Sequence, residues 1–181
     1  ATDPNSFSIM QISDTQFLAL SSPQLFKETT NWIVNNAADY NLKMVIHTGD
    51  LVDNINGTSG TYSDPVQWNN ANAAMSLLLN AGIPYSWDAG NHDQIPWNNA
   101  SGTWLGSSYP AFNASNMRSK PYWVSDFVDS KNTAVKFTYN GYGFLIINLE
   151  YMASNTTITW MKTLLDSNKG TNIIVAAHTY L

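Results

Sequence analysis

Asp14, Gln16, Asp50, Asn91 and His178 supply carboxylate, amide and imidazole donors from four separate points of the chain. Each sits just after an apolar, β-prone segment: Asp14-Thr15-Gln16 after residues 7–12, Gly49-Asp50 after 42–46, Gly90-Asn91-His92-Asp93 after 83–88, and His178 after 172–177. Donors delivered from strand ends onto one rim can hold a divalent or trivalent first-row metal by oxygen and nitrogen. The chain has no Cys, so thiolate ligands and disulfides are both excluded and any metal depends on these donors. Taken alone, an Asp at a strand end is a loop cap, a Gly-Asp pair is a turn, and a His after a strand is structural. Their ordered recurrence after four strands is what turns them into a candidate site.

The elements that must carry these residues read as alternating strands and helices. The helix after residue 22 has Ser22 at its cap and Pro23 at its first position, with Leu25, Thr29, Trp32, Ile33 and Ala37 expected to face the core. The next is capped by Asp64 and opened by Pro65, with Gln67 in the capping-box position. Its core face is Trp68, Ala71, Met75, Leu78 and Leu79, and Gly82 ends it. Strands separated by such helices predict a parallel sheet. Residues 91–121 show no sustained period and scatter Trp97, Trp104, Tyr109 and Phe112 among polar residues, which predicts an ordered aromatic loop over a substrate mouth. Residues 123–127, 133–139 and 144–149 read as a meander turning at Asn140-Gly141, followed by a helix at 157–166 and a strand at 172–177.

Composition narrows the function classes. With 181 residues and 44% apolar content the chain has the size of a single domain with a substantial core. Eight basic residues against thirteen acidic ones leave no cationic stripe for a nucleic-acid backbone, so stable nucleic-acid binding is not expected. No apolar run approaches the ~20 residues of a membrane span. Few Lys, many Asn, Ser and Thr, and an acidic balance fit an extracellular or cell-surface setting.

In order, D-x-Q, GD, GNHD and a strand-end His resemble the calcineurin-like metallophosphoesterase superfamily. The resemblance implies a four-layer α-β-β-α sandwich and hydrolysis of phosphomonoesters or phosphodiesters by a dinuclear metal-activated hydroxide. Two ions (Mn, Fe, Zn or Co) would be held by Asp14, Gln16, Asp50, Asn91 and His178, with Asp50 between them. His92 would act as general acid toward the leaving group and Asp93 would orient its imidazole; Asp53 and Asn54 read as supporting or turn residues. The implied partner is a small phosphate ester. The family's final GHxH is absent from the sequence, so the expectation is a fold truncated at its C-terminal end, short of ligands and weak or inactive as an isolated piece. The rival reading from another class is a secreted module whose aromatic loop binds a ligand such as a glycan beside a vestigial metal site.

Overall fold

Strand β1 (Ser8–Ile12) pairs in parallel with β2 (Leu42–Thr48), and β2 with β3 (Tyr85–Asp88). The register sets Ile12 beside His47 and Thr48 beside Asp88, so all three strands end at one edge of the sheet. In a parallel sheet that edge is where side chains from successive loops can meet. The computed structural model describes residues 6–54, 64–99 and 101–179.

Helices α1 (Gln16–Ser21), α2 (Pro23–Asn36) and α3 (Pro65–Ala81) cover one face of this sheet through Phe26, Ile33, Trp68, Met75 and Leu78, all buried with the strand residues Met44, Val45 and Trp87. Burying each such side chain contributes about 1.5–3 kcal/mol. The expected face of α3 is observed, and Asp64 caps it by accepting the Val66 N–H at 2.8 Å while Gly82 closes it in the left-handed region (φ +70°). For α2 the expected face holds at Ile33 and is otherwise one residue out. Phe26, Thr30 and Ile33 are buried, whereas Leu25 and Trp32 are 52% and 46% exposed. Both triplets repeat at helical spacing, so periodicity could not choose between them. The larger ring of Phe26 takes the interior, and Thr30 goes in without loss because its hydroxyl donates to the Lys27 carbonyl at 3.1 Å.

The second sheet runs β6 (Trp123–Phe127), β7 (Asn132–Tyr139), β8 (Tyr142–Leu149) and β9 (Asn172–Ala177), with β8 and β9 parallel and the other pairs antiparallel. Its two faces separate by alternate residues, as the pleat requires. Val135 and Ile146 join the first sheet's core, while Ala134, Leu145 and Ile147 meet α5 (Asn155–Ser167) through Ile158, Trp160 and Met161. Helices, sheet, sheet and helix make four layers. Asn140 and Gly141 both hold positive φ (49° and 81°), the backbone of a tight hairpin turn. Among the described residues no helix is long and apolar enough to cross a membrane.

The segment 91–121 is ordered, as expected, but carries short regular pieces that the sequence did not specify. It contains a two-residue pairing of β4 (Gln94–Ile95) with β5 (Thr103–Trp104), two 3₁₀ turns (Gly106–Ser108 and Pro110–Phe112) and the single-turn α4 (Ala114–Met117). Three of its aromatic residues turn inward while Trp97 stays exposed: Trp104 meets Trp68 edge-on at 5.2 Å, Tyr109 stacks on Trp68 at 5.5 Å, and Phe112 meets Trp87 at 5.8 Å. The irregular spacing that hid this packing from the sequence follows from short turns with no sustained period.

His47 illustrates a stability consequence of this core. It is fully buried, its Nε2 lies 2.9 Å from the Thr15 hydroxyl, and burial followed by the nearby His178 pushes its pKa from the ordinary 6.5 down to about 3. The unfolded chain therefore binds a proton between those values that the folded chain refuses. This contribution to stability is present above pH 6.5 and is lost as pH falls toward 3. Urea unfolding of His47→Gln should accordingly show a flatter acid limb between pH 6.5 and 4 than the parent protein.

Candidate metal centre

Asp50 occupies the middle of the strand-end edge. Its backbone holds φ +54°, and that of Asp14 φ +55°, conformations that Asp tolerates but that cost free energy and cluster at functional sites. Two glycines let the loops close on it. A Cβ on Gly49 would lie 2.6 Å from the Gly90 nitrogen and 2.8 Å from His178 Nδ1, and one on Gly90 would overlap the Asp50 carboxylate. The Asp50 Oδ1 atom accepts the His92 backbone N–H at 3.0 Å and lies 3.4 Å from His178 Nε2; Oδ2 accepts the Gln16 amide at 3.3 Å and lies 3.9 Å from His92 Nε2. Burial raises the carboxyl above its ordinary range, the His92 N–H and both imidazoles pull it back, and Asp14 adds to the rise.

His178 brings the decisive geometry. Its Nδ1 lies 2.8 Å from the Thr48 main-chain oxygen, which can only accept, so Nδ1 carries a hydrogen and Nε2 is the ring atom that faces the site. Nε2 lies 2.8 Å from Asn91 Oδ1 and 3.4 Å from Asp50 Oδ1. An imidazole nitrogen, an amide oxygen and a carboxylate oxygen are thus brought together, an arrangement that a cation or a proton on Nε2 makes favourable. Nearby, the buried Gln16 Oε1 has no hydrogen-bond partner. Among the described residues no three His, Asp or Glu side chains gather to hold an ion by themselves, so the set depends on amide oxygens as well. Mixed oxygen and imidazole donors of this kind suit Mn, Fe, Zn or Co. Asp14 is exposed at the rim beside these groups, its carboxylate taking the Ser13 hydroxyl, and its charge acts on Asp50.

His92 stands next to the donors rather than among them, and its partner corrects an expectation. The Asp53 carboxylate, not that of Asp93, meets His92 Nδ1 at 2.9 Å. Gln67 fixes Asp53 in turn, accepting its N–H at 2.7 Å and donating to its carbonyl at 2.9 Å. Gln67 therefore braces the site loop in addition to donating to the cap residue Asp64 at 3.1 Å. Asp93 is buried and serves the backbone: its oxygens accept the N–H groups of Gly90, Leu51 and Val52 at 2.8, 2.8 and 3.1 Å, stitching the two site loops together. A carboxylate two residues past Asn91 carried no sequence signal separating these roles. Asp93→Ala would strand three buried donors, and a loss of about 3 kcal/mol or more in urea unfolding is expected.

Asp88 is fully buried and neither oxygen is hydrogen-bonded among the described residues. Burial, then the charges of Asp93, Asp50 and Glu150, push its carboxyl well above the ordinary range. Two residues missed entirely in the sequence reading also reach the site: Thr48, through a main-chain oxygen that no motif specifies, and Tyr151, whose ring meets His178 edge-on at 6.2 Å.

A family model described as calcineurin-like phosphoesterase matches residues 7–181. The chain belongs to that family. The four-layer arrangement of the chain agrees with it, and the family's chemistry is metal-dependent hydrolysis of phosphate esters. The chain is also 30% identical over 175 residues to the uncharacterized protein YvnB of Bacillus subtilis (strain 168). That stretch covers 97% of this chain but 13% of the relative's length.

Proposed function

We propose that the chain is a dinuclear metallophosphoesterase that hydrolyses small phosphomonoesters or phosphodiesters. The observation that carries this reading is the convergence of His178 Nε2, Asn91 Oδ1 and Asp50 Oδ1, with the His178 tautomer fixed by the Thr48 carbonyl. One ion would be held by Asp50, Asn91 and His178, and a second by Asp50, Asp14 and the Gln16 Oε1 atom that has no hydrogen-bond partner. When bound, such ions supply charge for the phosphoryl oxygens and a nucleophile at neutral pH.

The chain's own residues then have separable tasks. Asp50 keeps the donors in register by accepting the His92 N–H and the Gln16 amide. Asp53 holds the Nδ1–H of His92, which leaves Nε2 to deliver a proton to the departing oxygen. The inward packing of Trp104 and Phe112 counts against the rival reading, since a ligand-binding module would need those rings on its surface.

The test is hydrolysis of p-nitrophenyl phosphate and bis(p-nitrophenyl) phosphate by the metal-stripped chain, before and after addition of Mn, Zn, Co or Fe. Turnover that requires added metal and disappears with chelator is expected. Absence of turnover with every metal, despite metal binding, both in this chain and in a form extended to include a GHxH segment, would contradict the enzymatic reading.

A further inference from the structure

Two aromatic rings stand beside the donors. Trp97 lies 5.7 Å from the His92 ring, tilted by 40°, and keeps 37% of its surface exposed. On the His178 side, Tyr151 meets the imidazole at 6.2 Å. The loops carrying these rings are tied together, because the Tyr151 hydroxyl donates to Asn98 Oδ1 at 2.7 Å. Asn98 holds φ +58°, and its N–H bonds back to the Asn91 carbonyl at 2.9 Å, so the Trp97 loop is fixed to the residue proposed as a metal ligand. Beyond Tyr151, Met152 leaves 62% of its surface open.

Charge around this mouth is one-sided. The sequence has no Lys or Arg before Lys27, between Lys43 and Arg118, between Lys136 and Lys162, or after Lys169, and these spans contain every loop that brings a residue to the site. Of the four cations between residues 118 and 136, Arg118 pairs with Asp126 at 3.0 Å and the buried Lys131 donates to the Gly102 carbonyl at 2.7 Å, while Lys120 and Lys136 lie on segments that bring no residue to the site. A second anionic group on a substrate would therefore meet carboxylates and rings, with no cation from these loops to receive it. A flat uncharged group would meet an aromatic face.

Building on the phosphoesterase reading, we propose that Trp97 and Tyr151 select esters whose leaving group is an uncharged aromatic alcohol, with the Asn98–Tyr151 hydrogen bond holding the two rings in place. Stacking on one aromatic side chain changes affinity by about tenfold.

Calorimetric titration of the metal-supplemented chain with phenylphosphonate, methylphosphonate and 4-carboxyphenylphosphonate tests this without turnover. Phenylphosphonate should bind about tenfold tighter than methylphosphonate, and the far carboxylate should erase most of that gain. In Trp97→Ala the phenyl-to-methyl ratio should fall to near one with methylphosphonate affinity unchanged, and Trp97→Phe should restore most of it. An unchanged ratio in Trp97→Ala, or equal binding of the phenyl and carboxyphenyl compounds, would overturn the proposal. So would loss of methylphosphonate affinity in Trp97→Ala, which would make the ring a structural support. Failure of the parent protein to bind methylphosphonate at all would instead overturn the phosphoesterase reading, and this inference with it.

Discussion

Asp50→Asn should abolish metal-dependent turnover, lowering it by on the order of 10³ or more, and should leave the chain with little bound metal. Asn is nearly isosteric and tolerates the left-handed backbone at this position, so the loop geometry survives. What disappears is the negative charge that, in the proposed site, would offset two neighbouring cations. A second consequence separates this from unfolding. Because burial raises the folded-state pKa of Asp50, its charged form opposes folding of the metal-free protein; its contribution to stability is complete below the unfolded pKa of 3.8 and is lost as pH rises through the folded value. At neutral pH the metal-free Asp50→Asn variant should therefore unfold at a higher urea concentration than the parent while binding less metal. Lower stability together with lower metal content would point to a damaged fold.

His92→Ala should do the reverse of this: retain metal and lose 10²–10⁴ in turnover, as removal of a general acid does. The imidazole lies beside the donor cluster, 3.9 Å from Asp50 Oδ2, and is held by Asp53 rather than by the groups proposed to bind metal. Alkyl phosphates, whose alkoxide leaves only with a proton, should suffer most, and aryl phosphates with stable leaving groups least. Equal losses on both classes, or loss of metal, would remove the acid role from His92.

The strand ends were legible in the sequence because a buried parallel strand needs an apolar run and its loop needs Gly or Asp, and those signals are local. Asp50, Asn91 and His178 could be nominated from them, and the structure brings their donor atoms together. The relation between Asp53, Asp93 and His92 was not legible, since which carboxylate reaches an imidazole depends on how two loops cross. The β2 loop delivers Asp53 to His92, while Asp93 turns beneath to gather N–H groups from residues 51, 52 and 90. The face of α2 failed for a related reason, because Leu25 and Phe26 begin equally good periodic stripes and only the neighbouring helix decides between them. Segment 91–121 was legible as an ordered aromatic loop but not as short turns packed into the core, because turns break periodicity even where their side chains are buried.

Anomalous diffraction from crystals of this chain grown with Mn tests the central claim most directly, since it locates the ion without reference to activity. The account predicts a peak within bonding distance of Asp50, Asn91 and His178 Nε2, with a second beside Asp50 toward Asp14 and Gln16, and with His92 bound to neither. A crystal that carries Mn elsewhere while this cluster stays empty, or an ion ligated by His92, would contradict it.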